Sequence, residues 1–465
     1  MEETKEQDVV FILVRNILNT DYHKLPAEAV LAAKRSILDT LGTTLAGSTS
    51  EGIDMVHELI HDWGGKKEST LIAFGEKVPA LNAAFINATM GHARDYDDSH
   101  FLAVAHSGVC VLPAALAVAE RRGKTSGKEL ITAVALGIDL MNRLGISVGL
   151  KSAAHGWHNT SVWGIFGATA ACGKILRLNE EKLINAIGIA YSQASGTAQC
   201  MRDGALTKRM QPGFAAKAAV LSALLAEKGY TGSRDSLEGE SGLFRVYHGG
   251  KYDRTLLVAE LGKYFEVCNL KFKAYPSCGL THNAITAALE LVNQYQIKPE
   301  DVDKITVAVG ESVYSMVCLP LETKQRPPVI VHAQFSLPYS VARAFVYRKV
   351  CLNDFTPDAI RDPAVLEISR KIEPKLVPEL TRQKGFDSVI LEVQTLGGKK
   401  YSKRVDVLKG SLDDPITNEE LAEKFKDCAS HSVKHIKKQN IDKAAELILN
   451  IDTVDDIRDV VSLIS

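Results

Sequence analysis

Apolar residues recur every three or four positions almost without a break from Val9 to Ala226, in segments 10–18, 27–45, 53–63, 81–90, 112–119, 130–144, 162–175, 182–194 and 214–226. That is the helical period, so the first half of the chain is expected to fold as packed helices and not as a sheet. Small residues crowd the same segments, at Ala83-Ala84, Ala114-Ala115, 168–171 and 215–219, and allow helix axes to approach closely. Gly64-Gly65, Gly123-Lys-Thr-Ser-Gly127 and Gly249-Gly250 punctuate the helices. The pattern describes a large, mostly buried helical domain.

The character changes after Leu261. Segments 265–273 and 302–310 are rich in β-branched and aromatic residues, 390–395 alternates, and 401–407 follows it after Gly397-Gly398, a hairpin signal. Helical patterns at 281–295, 332–346 and 358–372 separate these strands. Thr417-Asn-Glu-Glu420 is a capping box opening a charged helix, and two further helices are expected at 442–449 and 454–464. The expected fold is mainly α with a smaller α/β (α+β) unit. The expected domains are 1–264, helical; 265–407, α/β; and 408–465, C-terminal helices returning to the helical domain.

Several function classes are disfavoured. With 55 Lys+Arg against 56 Asp+Glu there is no overall field for nucleic acid or an anionic membrane, so neither partner is expected. The eight cysteines form no C-x-x-C pair, which argues for reduced thiols and against a zinc ribbon. An acidic N-terminus unlike a secretory or mitochondrial leader makes a cytoplasmic location the expectation, and no apolar run reaches the ~20 residues a bilayer needs. There is no P-loop, no G-x-G-x-x-G after a strand and no G-x-S-x-G, so no nucleotide cofactor is expected.

Four polar clusters could carry chemistry. In Gly91-His-Ala-Arg-Asp-Tyr-Asp-Asp-Ser-His100 and His106, the carboxylates Asp95, Asp97 and Asp98, Ser99 and three histidines must hydrogen-bond one another or a ligand if buried. A solvated loop with Asp98 or Ser99 capping the next helix is the alternative. His155-Gly-Trp-His158-Asn-Thr-Ser161 precedes a helix, where donors can face an anion, or where Thr160 or Ser161 is a plain cap. Lys208 and Arg209 lie in a loop bounded by Gly204 and Gly213 and suit a carboxylate clamp, or are surface cations. Lys273, Cys278 and His282 open the smaller unit, and nothing in the sequence supplies Cys278 with a depressed thiol pKa. Separately, His57-Glu58-Leu-Ile-His61 satisfies the H-E-x-x-H pattern of helical zinc hydrolases. Lys67 stands where a third histidine would be, and the helix also reads as amphipathic with Ile53, Val56, Ile60 and Trp63 facing in.

Together the clusters resemble the MmgE/PrpD family, through Asn82-Ala-Ala-Phe-Ile-Asn-Ala-Thr, His92-Ala-Arg-Asp-Tyr-Asp-Asp-Ser-His, Gly156-Trp-His-Asn-Thr, Thr207-Lys-Arg-Met-Gln-Pro-Gly, Lys273-Ala-Tyr-Pro-Ser-Cys and Gln334-Phe-Ser-Leu-Pro-Tyr-Ser-Val-Ala. The resemblance implies a helical domain with an α/β lid, a homodimer, no cofactor and no metal, and a small di- or tricarboxylate substrate. It places Asp95, His106, His158, Lys208 and Tyr339 as catalytic residues, and Ser99, Arg209, Lys273 and His282 around the substrate. Ser99 stands where Thr is common, Gln211 where His is frequent and Arg94 where a small or apolar residue is usual.

The expected chemistry is proton transfer next to a carboxylate. Lys208, Arg209 and Lys273 would stabilise an enediolate-like state, His106 and His158 would act as base and acid, and Asp95 would orient one imidazole. A 2-methylcitrate-type dehydratase is the first expectation, because hydro-lyase chemistry is the family's commonest. Epimerisation or decarboxylation of a related polycarboxylate, of the iminodisuccinate or cis-aconitate type, comes second. A zinc hydrolase using His57, Glu58 and His61 is a remote third, and a non-catalytic carboxylate binder is disfavoured by His106, His158 and Lys208.

Overall fold

The computed structural model describes residues 7–150, 156–382 and 386–465. Nine principal helices follow the sequence pattern: α1 Val9–Asn19, α2 Ala27–Gly47, α3 Ile53–Trp63, α4 Ala80–Ala93, α5 Gly108–Arg122, α6 Gly127–Val148, α7 Asn159–Ile175, α8 Glu180–Tyr191 and α9 Thr207–Glu227. Helices α4, α5 and α7 are buried on nearly every side, which is why their residues are apolar or small all round. The crossing of α6 and α7 shows what small residues permit, since a Cβ on Gly167 would lie 2.4 Å from the Gly137 carbonyl oxygen. Helix α6 is long and apolar enough to span a bilayer by composition, but 89% of its apolar window is buried inside the protein. It is a core helix with a buried Asp139–Arg143 pair one turn apart.

A second core is built on a four-stranded sheet of β1 Val302–Val309, β2 Ile372–Leu376, β3 Val389–Thr395 and β4 Lys400–Val405, in the order β2-β1-β3-β4. Strand β1 runs parallel to β2 and antiparallel to β3, with Ile305 opposite Ile372 and Val307 opposite Leu391. Gly398, at φ +78°, makes the tight β3–β4 turn. Helices α10 His282–Tyr295, α11 Leu337–Tyr347 and α12 Pro363–Arg370 complete this core. The C-terminal α13 Asn418–Ser430 and α14 Lys438–Leu449 contribute Leu421, Phe425, Ala444 and Ile448 to the helical core, and the Thr417–Glu420 capping box opens α13.

Several local expectations need correction. Segment 265–273 is not a continuous strand: a short helical turn at Glu266–Asn269 leads into two paired residues, Leu270–Lys271, because Phe265 and Val267 are drawn into the helical core. Segment 358–372 breaks at Asp362, whose carboxylate caps the Ala364 N–H ahead of Pro363. The expected helix at 454–464 shrinks to Arg458–Val461. Asp456 accepts the Arg458 N–H, and the backbone of Val454 and Ile457 bonds instead to Gly127 and Thr125. Lys208 and Arg209 stand in the first turn of α9, not in a loop, with Pro212 inside the helix. On α3, Trp63 faces out and carries the Lys217 ammonium 5.0 Å above its ring.

Candidate active site

Helix α4 ends where Asp95 enters the left-handed region at φ +51°, a conformation Asp and Asn tolerate better than most side chains. The turn sends three neighbouring carboxylates in three directions. Asp95 lies between two ammonium groups: Lys208 from α9 binds Oδ1, and Lys273 Nζ lies 2.9 Å from Oδ2 and 2.8 Å from the Asp95 carbonyl oxygen. Lys273 is brought there by a short antiparallel ladder that pairs Ser99 with Lys271 and His100 with Leu270. Burial alone would raise the Asp95 pKa, but the two lysines hold it well below the ordinary carboxylate range; Lys273 in turn is raised by Asp95 against the opposing effect of burial. Two ammoniums on one carboxylate leave a positive excess suited to an anionic ligand.

Asp97 turns to the histidines. Its Oδ2 accepts from His92 Nδ1 at 2.8 Å and lies 3.2 Å from His106 Nδ1, which also donates to the Asp98 carbonyl at 2.8 Å. Carbonyl and carboxylate oxygens only accept, so both rings carry their proton on Nδ1 and leave Nε2 free of it in the neutral form. Burial pushes Asp97 up, but His92 and His106 bring it well below its ordinary value; burial lowers His92 to about 4. Asp98 makes the third contact, accepting the Gly108 N–H at 3.0 Å at the start of α5 and the Ser36 hydroxyl at 2.6 Å.

His158 sits just before α7, and its Nδ1 lies 2.9 Å from Gln211 Oε1. Lys208 and Gln211 are three residues apart on α9 and so share a face. Ring centroids of His92 lie 4.9 Å from His106 and 5.8 Å from His158, which gathers three imidazoles beside the lysine pair. Burial, then His92 and Lys208, hold His158 well below its ordinary value. Of the three, His106 alone has a substantially exposed side chain, at 21%.

Asp95, His106, His158, Lys208 and Lys273 are therefore together. His282 is close by but buried, with Nε2 3.2 Å from the Ser277 carbonyl and its pKa lowered to about 3 by burial and Lys273. Ser99 lies in the ladder beside the cluster and is partly exposed. Two expected residues point elsewhere. Arg209 donates to the Glu51 carbonyl at 2.7 Å, and Tyr339 is fully buried in the sheet-domain core, donating to the Asp354 carbonyl at 2.5 Å. The carboxylate that meets the imidazoles is Asp97 and not Asp95, which is taken up by the lysines. His100 pairs with Glu266, and burial pushes the Cys278 thiol up. His155 lies outside the described residues.

Among the described residues, His92, Asp97 and His106 are the group with donor atoms close enough to hold a cation. His92 Nδ1 and His106 Nδ1 lie 2.8 and 3.2 Å from Asp97 Oδ2, so the atoms that could face a cation are the same ones that share the hydrogen bonds described above. In the H-E-x-x-H segment, His57 pairs with Glu76 at 3.3 Å and stacks on Phe74 at 4.2 Å, and among the described residues no group of three close donor atoms includes it. Lys424 of α13 went unnoticed in the sequence: it binds Asp39 at 2.7 Å and the carbonyls of Tyr96 and Lys273 at 2.7 and 3.0 Å, tying down the backbone on both sides of the site. No local signal marks a lysine that reaches the site from so far along the chain.

The chain is 27% identical to the cis-aconitate decarboxylase-like protein oryM of Aspergillus oryzae, over 100% of this chain and 98% of that protein. It is also 27% identical to the cis-aconitate decarboxylase of Aspergillus terreus, over 95% and 92%, and to that of Homo sapiens, over 93% and 89%. Residues 12–255 match the MmgE/PrpD N-terminal domain and residues 275–450 the MmgE/PrpD C-terminal domain. The two family models together cover nearly the whole chain, which belongs to the MmgE/PrpD family.

Proposed function

We propose that this protein is an acid–base lyase of tricarboxylates and that its reaction is the decarboxylation of cis-aconitate. The observation that carries the reading is the pair of buried ammoniums, Lys208 and Lys273, set against imidazoles whose Nδ1 protons are already committed to acceptors. The names of the similar proteins put decarboxylation ahead of the 2-methylcitrate dehydration first expected.

In cis-aconitate one carboxylate sits on a CH2 next to the carbon–carbon double bond. When it leaves as CO2, the electron pair of the broken bond spreads over the allyl system and onto the carboxylate at its far end. A proton then enters at the far carbon, and the double bond moves to the former CH2. The lysines stabilise the charge that moves onto the retained carboxylate, and an imidazole of the His106/His158 pair delivers the proton. Ser99 and Lys273 would hold carboxylates in place. The homodimer belongs to the same proposal and is checked by light scattering.

The test is a proton NMR time course in D2O with cis-aconitate and 2-methylcitrate as separate substrates. Decarboxylation gives CO2, a terminal methylene signal and one deuterium on the adjacent saturated carbon. Water loss from 2-methylcitrate with cis-aconitate left unchanged would replace the proposal with dehydration. His158→Ala is expected to slow the reaction about 100-fold or more.

A further inference from the structure

Gln211 stands where the family resemblance makes His frequent, and the structure gives the amide a part of its own. Its Oε1 faces His158 Nδ1 at 2.9 Å, while its Nε2 donates to the Thr197 carbonyl at 2.8 Å and lies 3.0 Å from Cys200 Sγ. A side-chain amide can be turned over in principle. Here the Thr197 carbonyl can only accept, so the NH2 group must face it and the amide oxygen must face the imidazole. An amide oxygen has no proton to give, so the proton between it and His158 belongs to Nδ1.

The surroundings keep that orientation. The carbonyl of Gly196, a residue at φ +132°, accepts the His158 N–H at 3.1 Å, and a Cβ there would lie 2.7 Å from Gln211 Oε1 and 2.7 Å from Ser161 Cβ. Ser161 Oγ donates to the Gln211 carbonyl at 3.1 Å. The amide, its acceptor and the glycine that makes room for it form one fixed unit.

We propose that Gln211 is a positioning residue that locks His158 in the Nδ1–H tautomer, so that His158 takes and gives its proton at Nε2 alone. No described residue bonds that nitrogen, whereas Nδ1 is held by the Gln211 amide oxygen. The imidazolium form of His158 is disfavoured by burial, by His92 and by the Lys208 ammonium, against the smaller opposing effect of the Gln211 hydrogen bond. His158 therefore returns to its neutral form after each transfer.

The reading of its kinetic effect rests on the proposed lyase activity, but the tautomer does not, and the experiment separates them. Long-range proton–nitrogen spectra of the full chain labelled with 15N-histidine, assigned with His158→Gln, are expected to show His158 protonated at Nδ1 and bare at Nε2 at pH 7.5. Protonation at Nε2 with Nδ1 bare overturns the proposal. Gln211→Glu sets a carboxylate against Nδ1 and is expected to move the His158 limb of the pH–rate profile with cis-aconitate upward by about 1 to 2 pH units. A profile superposable on that of the unaltered enzyme overturns it as well. Gln211→Leu is expected to lower kcat about tenfold to a hundredfold with little change in KM, as the ring samples both tautomers. If Nδ1 is protonated but cis-aconitate is untouched, the tautomer assignment stands and the decarboxylase reading fails.

Discussion

Asp95, Asp97 and Asp98 stand within four residues of one another and do three different things. Asp95 pairs with two lysines, Asp97 bridges two imidazoles, and Asp98 opens α5. The sequence shows that so dense a cluster needs partners, but spacing cannot say which carboxylate meets which cation. The left-handed turn at Asp95, which decides the matter, has no marker such as glycine. For this reason Asp95→Asn is the informative change, since Asn accepts the same backbone conformation. It leaves Lys208 and Lys273 buried on a neutral group, and the unfolding free energy is expected to fall by about 3–5 kcal/mol in urea titrations. The acid dependence has a definite sign. Asp95 lies below its ordinary value when folded, so its contribution is complete above the unfolded pKa of about 3.9 and fades only as pH falls beneath it. Asp97→Asn spares the lysines but removes the carboxylate shared by His92 and His106. It is expected to cut kcat by 100-fold or more while folding, followed by circular dichroism, is retained.

Helices were legible because apolar period and small residues agree along them, and their ends were less so. Helix α9 begins at Thr207, ahead of Pro212, because Lys208 and Gln211 have partners across the site that outweigh the single helical bond a proline removes. Gly213 lies against α4, where an added Cβ would come within 2.3 Å of Thr89 Oγ1 and 2.6 Å of the Phe85 carbonyl oxygen. Gly213→Ala is therefore expected to push α9 off α4, lower stability by about 1–3 kcal/mol and reduce activity by shifting Lys208, as read by thermal melts and kcat/KM. The start of α5 carries the opposite pH signature to Asp95. Burial, with Asp39 near it, raises Asp98 to about 7, so between pH 4 and 7 the folded state keeps a proton that the unfolded chain has lost. Stability from this group falls as pH rises through that window, by up to about 1.4 kcal/mol per pH unit. Asp98→Asn should flatten the dependence in urea unfolding at pH 5 and 7.5; an unchanged slope would assign it to other groups.

At the scale of the whole molecule, the site is assembled from residues that no window of sequence brings together. Asp39 comes from α2, Tyr96 from the loop after α4, Lys273 from the approach to the sheet domain and Lys424 from the C-terminal α13. The family motifs made the lysines and histidines readable, while Lys424 was hidden because its partners are one carboxylate and two backbone carbonyls, which leave no pattern. Its Nζ also lies 3.7 Å from the Tyr96 ring centroid, so one ammonium holds together the segments bearing Asp95 and Lys273. Lys424→Met keeps the side-chain volume but strands Asp39 as a buried charge, and the unfolding free energy is expected to drop by about 3–5 kcal/mol. Adding Asp39→Asn removes the stranded charge, so the double variant should regain most of that loss. Activity should not return with stability, because the Tyr96 and Lys273 carbonyls stay untethered and the carboxylate between the lysines loses its fixed frame. A double variant that recovered both stability and kcat/KM would show that Lys424 serves the fold alone; recovery of stability with kcat/KM still depressed would place the C-terminal helix in the machinery of the site.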